Sequence, residues 1–192
     1  MTTAKSERVR KLYSYVVDHD EGGSPHASGG LCTLAKCKDR ARGSTHRNIV
    51  EMAQVDDWIV GTGGVNRDRS AGHGKIIYAM QVREKLALPE YHRRYPNRRD
   101  SSADDIQKSD RFALLSNYFF YFGANAIDIP ERFSAHPLEK RGQGYRCDFD
   151  KAFIRDFENW LARSYKRGVH GPPCKRTEHS TCAPQVRRKT GT

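Results

Sequence analysis

The alternation of apolar and polar residues predicts short β-strands over most of the chain. Residues 11–17 place Tyr13 and Tyr15 on one face of a first strand, because successive side chains of a strand point to opposite faces. Apolar runs of similar length predict further strands at residues 31–35, 75–82, 111–116 and 126–130. By contrast, residues 22–30 are rich in glycine and other turn formers, which predicts a long loop without regular structure.

The stretch at residues 56–64 is the centre of the predicted sheet. Trp58 and the two β-branched residues that follow it favour a strand, because such side chains pack well on a pleated surface. Paired aspartates precede this strand and three glycines follow it within five positions. Glycine permits either a tight turn or the close approach of a flat ligand. We expect this strand to pair with residues 75–82 through the polar loop between them.

Helical spacing is strongest at residues 150–166, where Asp148 or Asp150 can cap the N-terminus and Gly168 can end the helix. A second, short helix is predicted at residues 48–53. The stripe that the long helix would bury against the sheet comprises Phe153, Phe157, Trp160 and Leu161. Together the elements predict an α+β fold.

The length of 192 residues suits one domain with a core of its own. We place this domain at residues 11–170, between a flexible N-terminus at residues 1–10 and a basic, flexible tail at residues 171–192. The start of the sequence lacks the apolar core of a signal peptide, and five cysteines, an odd number, suit a reducing compartment. These features predict a cytoplasmic protein without disulfides.

The charge balance favours a polyanion as the partner. Lysine and arginine number 34 against 23 aspartates and glutamates, which gives a formal net charge of +11. Nucleic acid is favoured over a membrane, because no basic amphipathic helix with a wide apolar face is present. A net positive charge can also serve solubility alone, and a solvated charged surface has the same composition as a surface that binds nucleic acid. The candidate phosphate contacts are Lys36, Lys38, Arg40, Arg42, Arg93 and Arg94.

Catalytic chemistry is an open alternative, with Asp18, His19, His26 and Cys32 as the candidate residues. A reactive thiol would need a neighbouring base and a positive environment that lowers its pKa. The cysteine and histidine spacings do not match a zinc knuckle, so we expect no metal. The glycines of residues 61–64 fit neither a dinucleotide fingerprint nor a phosphate-binding P-loop, and we expect no cofactor.

Four sequence blocks carry a resemblance to a known family. They read Leu-Tyr-Ser-Tyr-Val-Val at residues 12–17, Gly-x-Cys-Thr-Leu-Ala-x-Cys-Lys at 30–38, Asp-Trp-Ile-Val-Gly-x-Gly at 57–63 and Tyr-Phe-Phe-Tyr-Phe-Gly at 118–123. In this joint order they resemble the bacterial and phage nucleotide-modification-associated domains, most of all the second type. The resemblance implies a role in systems that make or handle modified DNA bases, and it supplies no catalytic residue.

The order of an acid, an apolar strand, a glycine-rich break and a long strand is also similar to the small β-barrels of the pseudouridine-synthase-and-archaeosine-transglycosylase (PUA-like) class. That layout implies a small, mostly antiparallel barrel, closed on one side by the terminal helix. Several barrels of this class hold a flipped or modified base in a pocket. Because a fold does not determine a function, this likeness supports the architecture more than the activity.

The sequence therefore predicts a module that binds DNA and recognises a modified or flipped base, associated with nucleotide modification or phage defence. The residues expected to contact the base are Trp58, Gly61, Gly63, Tyr118, Tyr121 and Phe122. If Trp58 is buried beneath the terminal helix, the site is to be sought at the His26 loop and the Tyr118 block. The alternatives are an enzyme that modifies or hydrolyses a nucleotide or base, and a subunit of a modification or defence complex.

Overall fold

The computed structural model describes residues 8–35, 48–66, 68–98, 100, 111–133, 137–142 and 144–175. The strands are β1 Leu12–Val17, β2 His26–Ser28, β3 Leu31–Leu34, β4 Trp58–Gly63, β5 Lys75–Gln81, β6 Glu84–Ala87, β7 Phe112–Ser116, β8 Phe119–Tyr121, β9 Ile127–Asp128, β10 Tyr145–Arg146 and β11 Gly168–Val169. The α-helices are α1 Ile49–Met52, α2 Leu88–Arg94 and α3 Lys151–Ser164.

The strands form two sheets. Sheet A has the order β10-β1-β4-β5-β8-β11, with β9 also paired to β5, and sheet B has the order β2-β3-β7-β6. Most of the pairs are antiparallel, whereas β1 with β4 and β8 with β11 are parallel. The mixed α+β class is therefore confirmed. Within the described residues neither sheet closes on itself, so the expected barrel is not confirmed.

Alternating side chains of sheet A enter two separate cores. Tyr13, Tyr15 and Ile59 lie in the core that sheet A shares with Cys32 and other residues of sheet B. Trp58, Val60 and Leu12 lie on the opposite face of sheet A, in the core formed with α3. The outer face of sheet B packs against α2 in a third, smaller core. The layers thus run α3, sheet A, sheet B, α2.

The predicted pairing of residues 58–60 with residues 75–82 is confirmed. Strand β4 runs antiparallel to β5, with Trp58 opposite Gln81 and Gly61 opposite Tyr78. All six residues of β4 are buried, as expected for a central strand that is covered on both faces. The pairing with β1 on its other side completes the hydrogen bonding of this strand.

Helix α3 begins where the sequence predicts and ends differently. Asp150 is the N-cap, and its carboxylate accepts a hydrogen bond from the backbone N–H of Phe153 at 2.7 Å. The helix ends at Tyr165 with an extended backbone. The expectation that Gly168 ends the helix is wrong, because this glycine, with a φ of 119°, starts β11 instead.

The expectation of an irregular loop at residues 22–30 is wrong in its second half. Strand β2 pairs there with β3, so that His26 lies opposite Thr33 and Ala27 opposite Cys32. The turn formers on both sides conceal this short strand in the sequence, and backbone pairing with β3 supplies the order that propensity does not. Strand β6, which pairs with β7, is likewise missing from the predicted strands.

The beginning of the predicted tail packs against the body of the domain. The backbone N–H groups of Cys174 and Lys175 donate to the side chain and the backbone carbonyl of Asp20. The carbonyl of Pro172 accepts a hydrogen bond from the backbone of Ala124. The prediction of a flexible tail falls mainly on residues 176–192, which lie outside the described residues.

In the part of the chain that the structure describes, no helix combines the length and the apolar character needed to cross a membrane.

The packing of Gly61 yields a stability prediction. A Cβ atom at this position would overlap the ring of Tyr78 and lie 2.7 Å from Cγ2 of Val17. We expect Gly61→Ala to lower the free energy of unfolding by about 1–3 kcal/mol, because inserting atoms into a packed core forces its neighbours apart. Urea denaturation measures the change. Gly23→Ala is the control, since nothing lies within 4 Å of a Cβ atom there, and an equal loss in both variants would contradict the prediction.

Candidate functional site

Trp58 is fully buried beneath α3. Its ring makes edge-to-face contacts with Tyr118, at 5.7 Å between centroids, and with Phe157, at 6.0 Å. Its Nε1 is buried and has no hydrogen-bond partner among the described residues. In this conformation Trp58 has no free face for a base, and we do not carry it into the candidate site.

The other residues that the sequence assigns to a base are mostly occupied by the protein itself. The space beside Gly61 holds the ring of Tyr78, and the space beside Gly63 holds the backbone of Gly72. Tyr121 and Phe122 are 2% and 1% exposed. Of the six residues expected at the base, the partly exposed side chain is that of Tyr118.

The candidate phosphate contacts fall into two groups. Arg93 and Arg94 are exposed, and their guanidinium groups are paired with Glu90 at 2.8 Å and Glu84 at 2.5 Å. Both arginines therefore have part of their charge balanced by neighbouring carboxylates. The residues Lys36, Lys38, Arg40 and Arg42 lie outside the described residues, and their assignment stays a prediction.

The catalytic candidates have different surroundings. Asp18 and His19 are exposed after the end of β1. Cys32 is fully buried in the core between the two sheets. Burial raises the pKa of the Cys32 thiol, and the nearby charge of Asp100 raises it further. A thiol with a raised pKa is protonated at neutral pH and is a weak nucleophile. Cys32 thus has the surroundings of a core residue.

Asp20, a buried carboxylate, belongs to a polar cluster between the sheets. Asp20 is 1% exposed and accepts a hydrogen bond from the hydroxyl of Tyr121 at 2.7 Å. Burial and the charge of Asp20 raise the pKa of Tyr121. Nearby, the hydroxyls of Tyr15 and Tyr78 are 2.7 Å apart. Each of the two pairs is hydrogen-bonded, and all four side chains are buried, which is typical of structural polar groups.

His26 is the catalytic candidate that combines exposure with polar neighbours. Its side chain is 13% exposed, and its Nδ1 lies 3.6 Å from Oδ1 of Asp100, which is 1% exposed. Its Nε2 lies 3.1 Å from the hydroxyl oxygen of the exposed Ser28, two positions further along β2. Residues two apart on a strand share a face, so β2 presents the imidazole and the hydroxyl together on the outer face of sheet B.

Two side-chain hydroxyls donate hydrogen bonds to the buried carboxyl group of Asp100. The hydroxyl of Thr33 donates to Oδ2 of Asp100 at 2.5 Å, and the hydroxyl of Tyr91 donates to Oδ1 at 2.5 Å. Burial raises the pKa of Tyr91, and the charge of Asp100 raises it further, so this phenol keeps its proton and remains a donor. Donors of this kind stabilise a carboxylate that is buried from water.

Arg98 fixes the hairpin that carries His26. Its Nη2 donates to the backbone carbonyls of His26, at 2.6 Å, and Leu31, at 3.1 Å. Its Nε lies 3.2 Å from the hydroxyl of Thr33 and 3.9 Å from Oδ1 of Asp100. One guanidinium therefore binds both strands of the hairpin and lies beside the buried carboxylate. This arrangement leaves little freedom to the backbone of β2.

The sequence shows His26 as a candidate and gives no sign of its partners. Asp100 lies in a polar, acid-containing stretch that composition assigns to an exposed connection, yet it is buried. The pairing of His26 with Thr33 across β2 and β3 brings the carboxylate to the histidine. A covarying pair in an alignment is the signal that would reveal such a contact.

An open cleft of about 450 Å³ lies away from these residues and is lined by Pro137, Glu139, Lys140, Arg141 and Arg146. Trp58 is not among its lining residues. The guanidinium of Arg146 binds Asp148 through two hydrogen bonds and the carbonyl of Pro137 through a third. This arginine is thus already engaged by the protein, and none of the five described lining residues is buried.

No group of three or more histidine, cysteine, aspartate or glutamate side chains suited to a metal ion occurs in the described ranges. Cys37, His179 and Cys182 lie outside those ranges.

Comparison with protein families gives one match. A family model described as nucleotide modification associated domain 2 matches residues 9–110 and 97–181. The two matches together span most of the chain and include His26, Asp100 and both sheets. Comparisons with curated proteins and with solved structures give no match.

The raised pKa of Cys32 predicts a thiol that does not react in the folded protein. In native protein at pH 7, we expect iodoacetamide to label the exposed Cys147 and to leave Cys32 unmodified. Both should react in denaturant, and peptide mass spectrometry distinguishes them. The pKa of the Cys32 thiol is higher in the folded protein than in the unfolded chain. The contribution of this thiol to stability is therefore complete below about pH 8.5, the ordinary pKa of a thiol, and is lost as the pH rises further. Equal labelling of the two residues in native protein would overturn this assignment.

Asp100 is expected to contribute to stability through its two hydroxyl donors. In Asp100→Asn, the amide NH₂ group would face a hydroxyl that needs an acceptor, so we expect a loss of about 1–3 kcal/mol in the free energy of unfolding. Thermal and urea denaturation measure it. Asp128→Asn is the matched control, because Asp128 is 86% exposed and pairs with Lys75 at the surface, and we expect its effect to stay within about 0.5 kcal/mol.

Proposed function

The chain belongs to the family described as nucleotide modification associated domain 2, and from this membership we propose that it acts on a nucleotide through an acid–base centre at His26. The centre consists of His26, the buried Asp100 that faces one imidazole nitrogen and the exposed Ser28 that faces the other. The family supports a role related to nucleotide modification. The residues of the centre and the reaction type are our proposal.

One observation carries the proposal: an accessible imidazole lies between a buried carboxylate and an exposed hydroxyl. A histidine is well suited to proton transfer near neutral pH, because its ordinary pKa lies there. A carboxylate beside Nδ1 favours the tautomer with its proton on that nitrogen, which leaves Nε2 as a proton acceptor. The separation of 3.6 Å between Nδ1 and Asp100 is longer than a hydrogen bond, and such contacts often shorten when substrate binds.

In the proposed step, a hydroxyl or amino group forms a bond to an electrophilic centre of the nucleotide, and Nε2 of His26 takes the proton that this group loses. The bond from the same centre to the leaving group breaks, and the leaving group departs with the electron pair and accepts the proton. The proton donor is either Ser28 or a substrate group that occupies the same position. The imidazolium that results faces the negative charge of Asp100, which stabilises it. Thr33 and Tyr91 hold the Asp100 side chain in place through their hydrogen bonds, and the imidazolium passes its proton to the leaving group.

The proposed substrate carries phosphate, and the basic segment of residues 36–42 is a candidate for its recognition. Its residues Lys36, Lys38, Arg40 and Arg42 follow β3 within a few positions of Thr33, the register partner of His26. Cationic side chains near a reacting nucleotide would bind its phosphates and orient it. Separate incubations with DNA and with free deoxynucleotides distinguish the two forms of substrate.

A second candidate is recognition of a modified or flipped base without turnover, as a module or as a subunit of a modification or defence complex. Tyr118 supports it, because this aromatic residue is partly exposed. Binding of modified and unmodified DNA at two salt concentrations tests this candidate. Preference for modified DNA, together with unchanged nucleosides, would favour recognition over catalysis.

We expect His26→Asn to reduce turnover by about 10²–10⁴-fold, the usual contribution of a general base. The protein is incubated with DNA and, separately, with deoxynucleotides, and the nucleosides are then quantified by liquid chromatography and mass spectrometry. The loss should appear in kcat more than in KM, because the imidazole acts on the reacting atoms. Thermal denaturation verifies that the variant is folded.

The matched control is His73→Asn. His73 is 39% exposed, and its Nδ1 lies 2.8 Å from the carboxylate of Glu139, so it also has a histidine–carboxylate contact. We expect wild-type turnover in this control. Conversion of a nucleoside by wild-type protein that His26→Asn leaves unchanged would refute the role of His26.

A further inference from the structure

One end of sheet A brings together basic residues that are distant in the sequence. The pairing registers place the start of β1 beside the start of β4, and the start of β4 beside the end of β5. The start of β8 and the start of β11 lie at the same end. This edge of the sheet therefore brings together the residues that directly precede β1, β8 and β11 and those that directly follow β5.

Most of the residues at these positions are basic and exposed. They are Arg10, Lys11, Arg83, Lys166 and Arg167. Here we call this set, together with Tyr118, the basic rim. The nearby acids include Asp56, which lies 3.6 Å from Arg83, and Glu158, which lies 3.3 Å from Arg10. The buried Asp57 accepts a hydrogen bond from the backbone N–H of Lys11 and pairs with Arg8. Among the described residues, no carboxylate lies within 4.0 Å of the charged groups of Lys11, Lys166 or Arg167.

Tyr118 lies at the centre of the rim, next to two guanidinium groups. The guanidinium carbon of Arg167 is 4.3 Å from the centre of the Tyr118 ring, and that of Arg83 is 5.2 Å from it. The ring in turn rests against the buried Trp58. An arginine that lies on an aromatic ring keeps its N–H groups available at the edge of its plane, so this contact orients donors without consuming them.

Arg10 and Arg83 each lie near a carboxylate, so within the rim it is Arg167 that differs from the arginines the sequence favours for phosphate. Arg93 donates two hydrogen bonds to Glu90, and Arg94 donates one to Glu84. Their N–H groups are partly used within the protein. Arg167 makes no such pair among the described residues, and it is held in place by a ring that does not neutralise it. Preorganised and unneutralised guanidinium groups suit an anion that offers several oxygens.

We propose that the basic rim binds the phosphate backbone of a nucleic acid strand. Phosphodiester groups repeat along a strand, so they can meet several of these cations at once, whereas a single small anion cannot. Arg83 and Arg167 bind phosphate oxygens, and the edge of Tyr118 is available to an adjacent base. The rim lies on sheet A, whereas His26 lies on the outer face of sheet B, so the inference does not depend on catalysis at His26.

Fluorescence anisotropy with a labelled single-stranded DNA of about 20 nucleotides tests the rim. We expect Arg83→Gln with Arg167→Gln to weaken binding by about tenfold and to reduce the slope of log K against log salt by about 1.4, since about 0.7 is lost for each phosphate contact with a single strand. Both arginines are exposed, and thermal denaturation verifies that the double variant is folded.

The control removes the same charge elsewhere, through Arg132→Gln with Arg155→Gln. Arg132 also lies on an aromatic ring, 5.0 Å from the centre of Phe133, and Arg155 is exposed on α3. We expect the control to retain most of the affinity and the salt slope. Equal weakening in both double variants would assign binding to net charge alone and overturn the proposal, as would unchanged binding in the rim variant.

Discussion

The burial of β4 on both faces is the constraint on which the rest of the structure depends. A strand covered on both sides needs two layers of apolar side chains to cover it and two neighbouring strands for its hydrogen bonds. Helix α3 covers the face of Trp58, sheet B covers the face of Ile59, and β1 and β5 supply the pairing. Gly61 belongs to the same arrangement, because only glycine leaves room for the ring of Tyr78. Strand β4 is therefore the central strand around which the domain packs.

Much of the fold could be predicted from local sequence. Apolar periodicity shows which face of an element is buried, and the buried face determines how the element packs. In β1 this face carries Tyr13 and Tyr15, and in α3 it carries Phe157 and Leu161. The N-cap at Asp150 follows from the same local chemistry. Local sequence could not predict the number of layers. Sheet B is built from short segments that are regular strands because they pair with one another. Strand β2, between turn formers, shows this most clearly.

The candidate site could be predicted only in part, for a related reason. His26 was visible as a titratable residue, whereas Asp100 lies 74 positions away in a stretch whose composition suggests solvent. Its burial results from the hydroxyls of Thr33 and Tyr91, which are unremarkable in the sequence. The sequence could not reveal the burial of Trp58, because an aromatic residue has the same appearance in a sequence whether it binds a ligand or fills a core. In this structure Trp58 lies in the core between sheet A and α3.

The long-range pairings of sheet A also bear on how the chain reaches its fold. Ser14 of β1 pairs with Arg146 of β10, and the carboxylate of Asp20 accepts from the backbone of Cys174. Contacts between residues so far apart slow folding, because loop closure must precede the gain from pairing. During synthesis the outer edge of β1 has no partner until almost the whole domain has been made. An unpaired, apolar strand edge invites association with other chains, so the nascent protein is expected to depend on chaperones more than a helical domain of equal size.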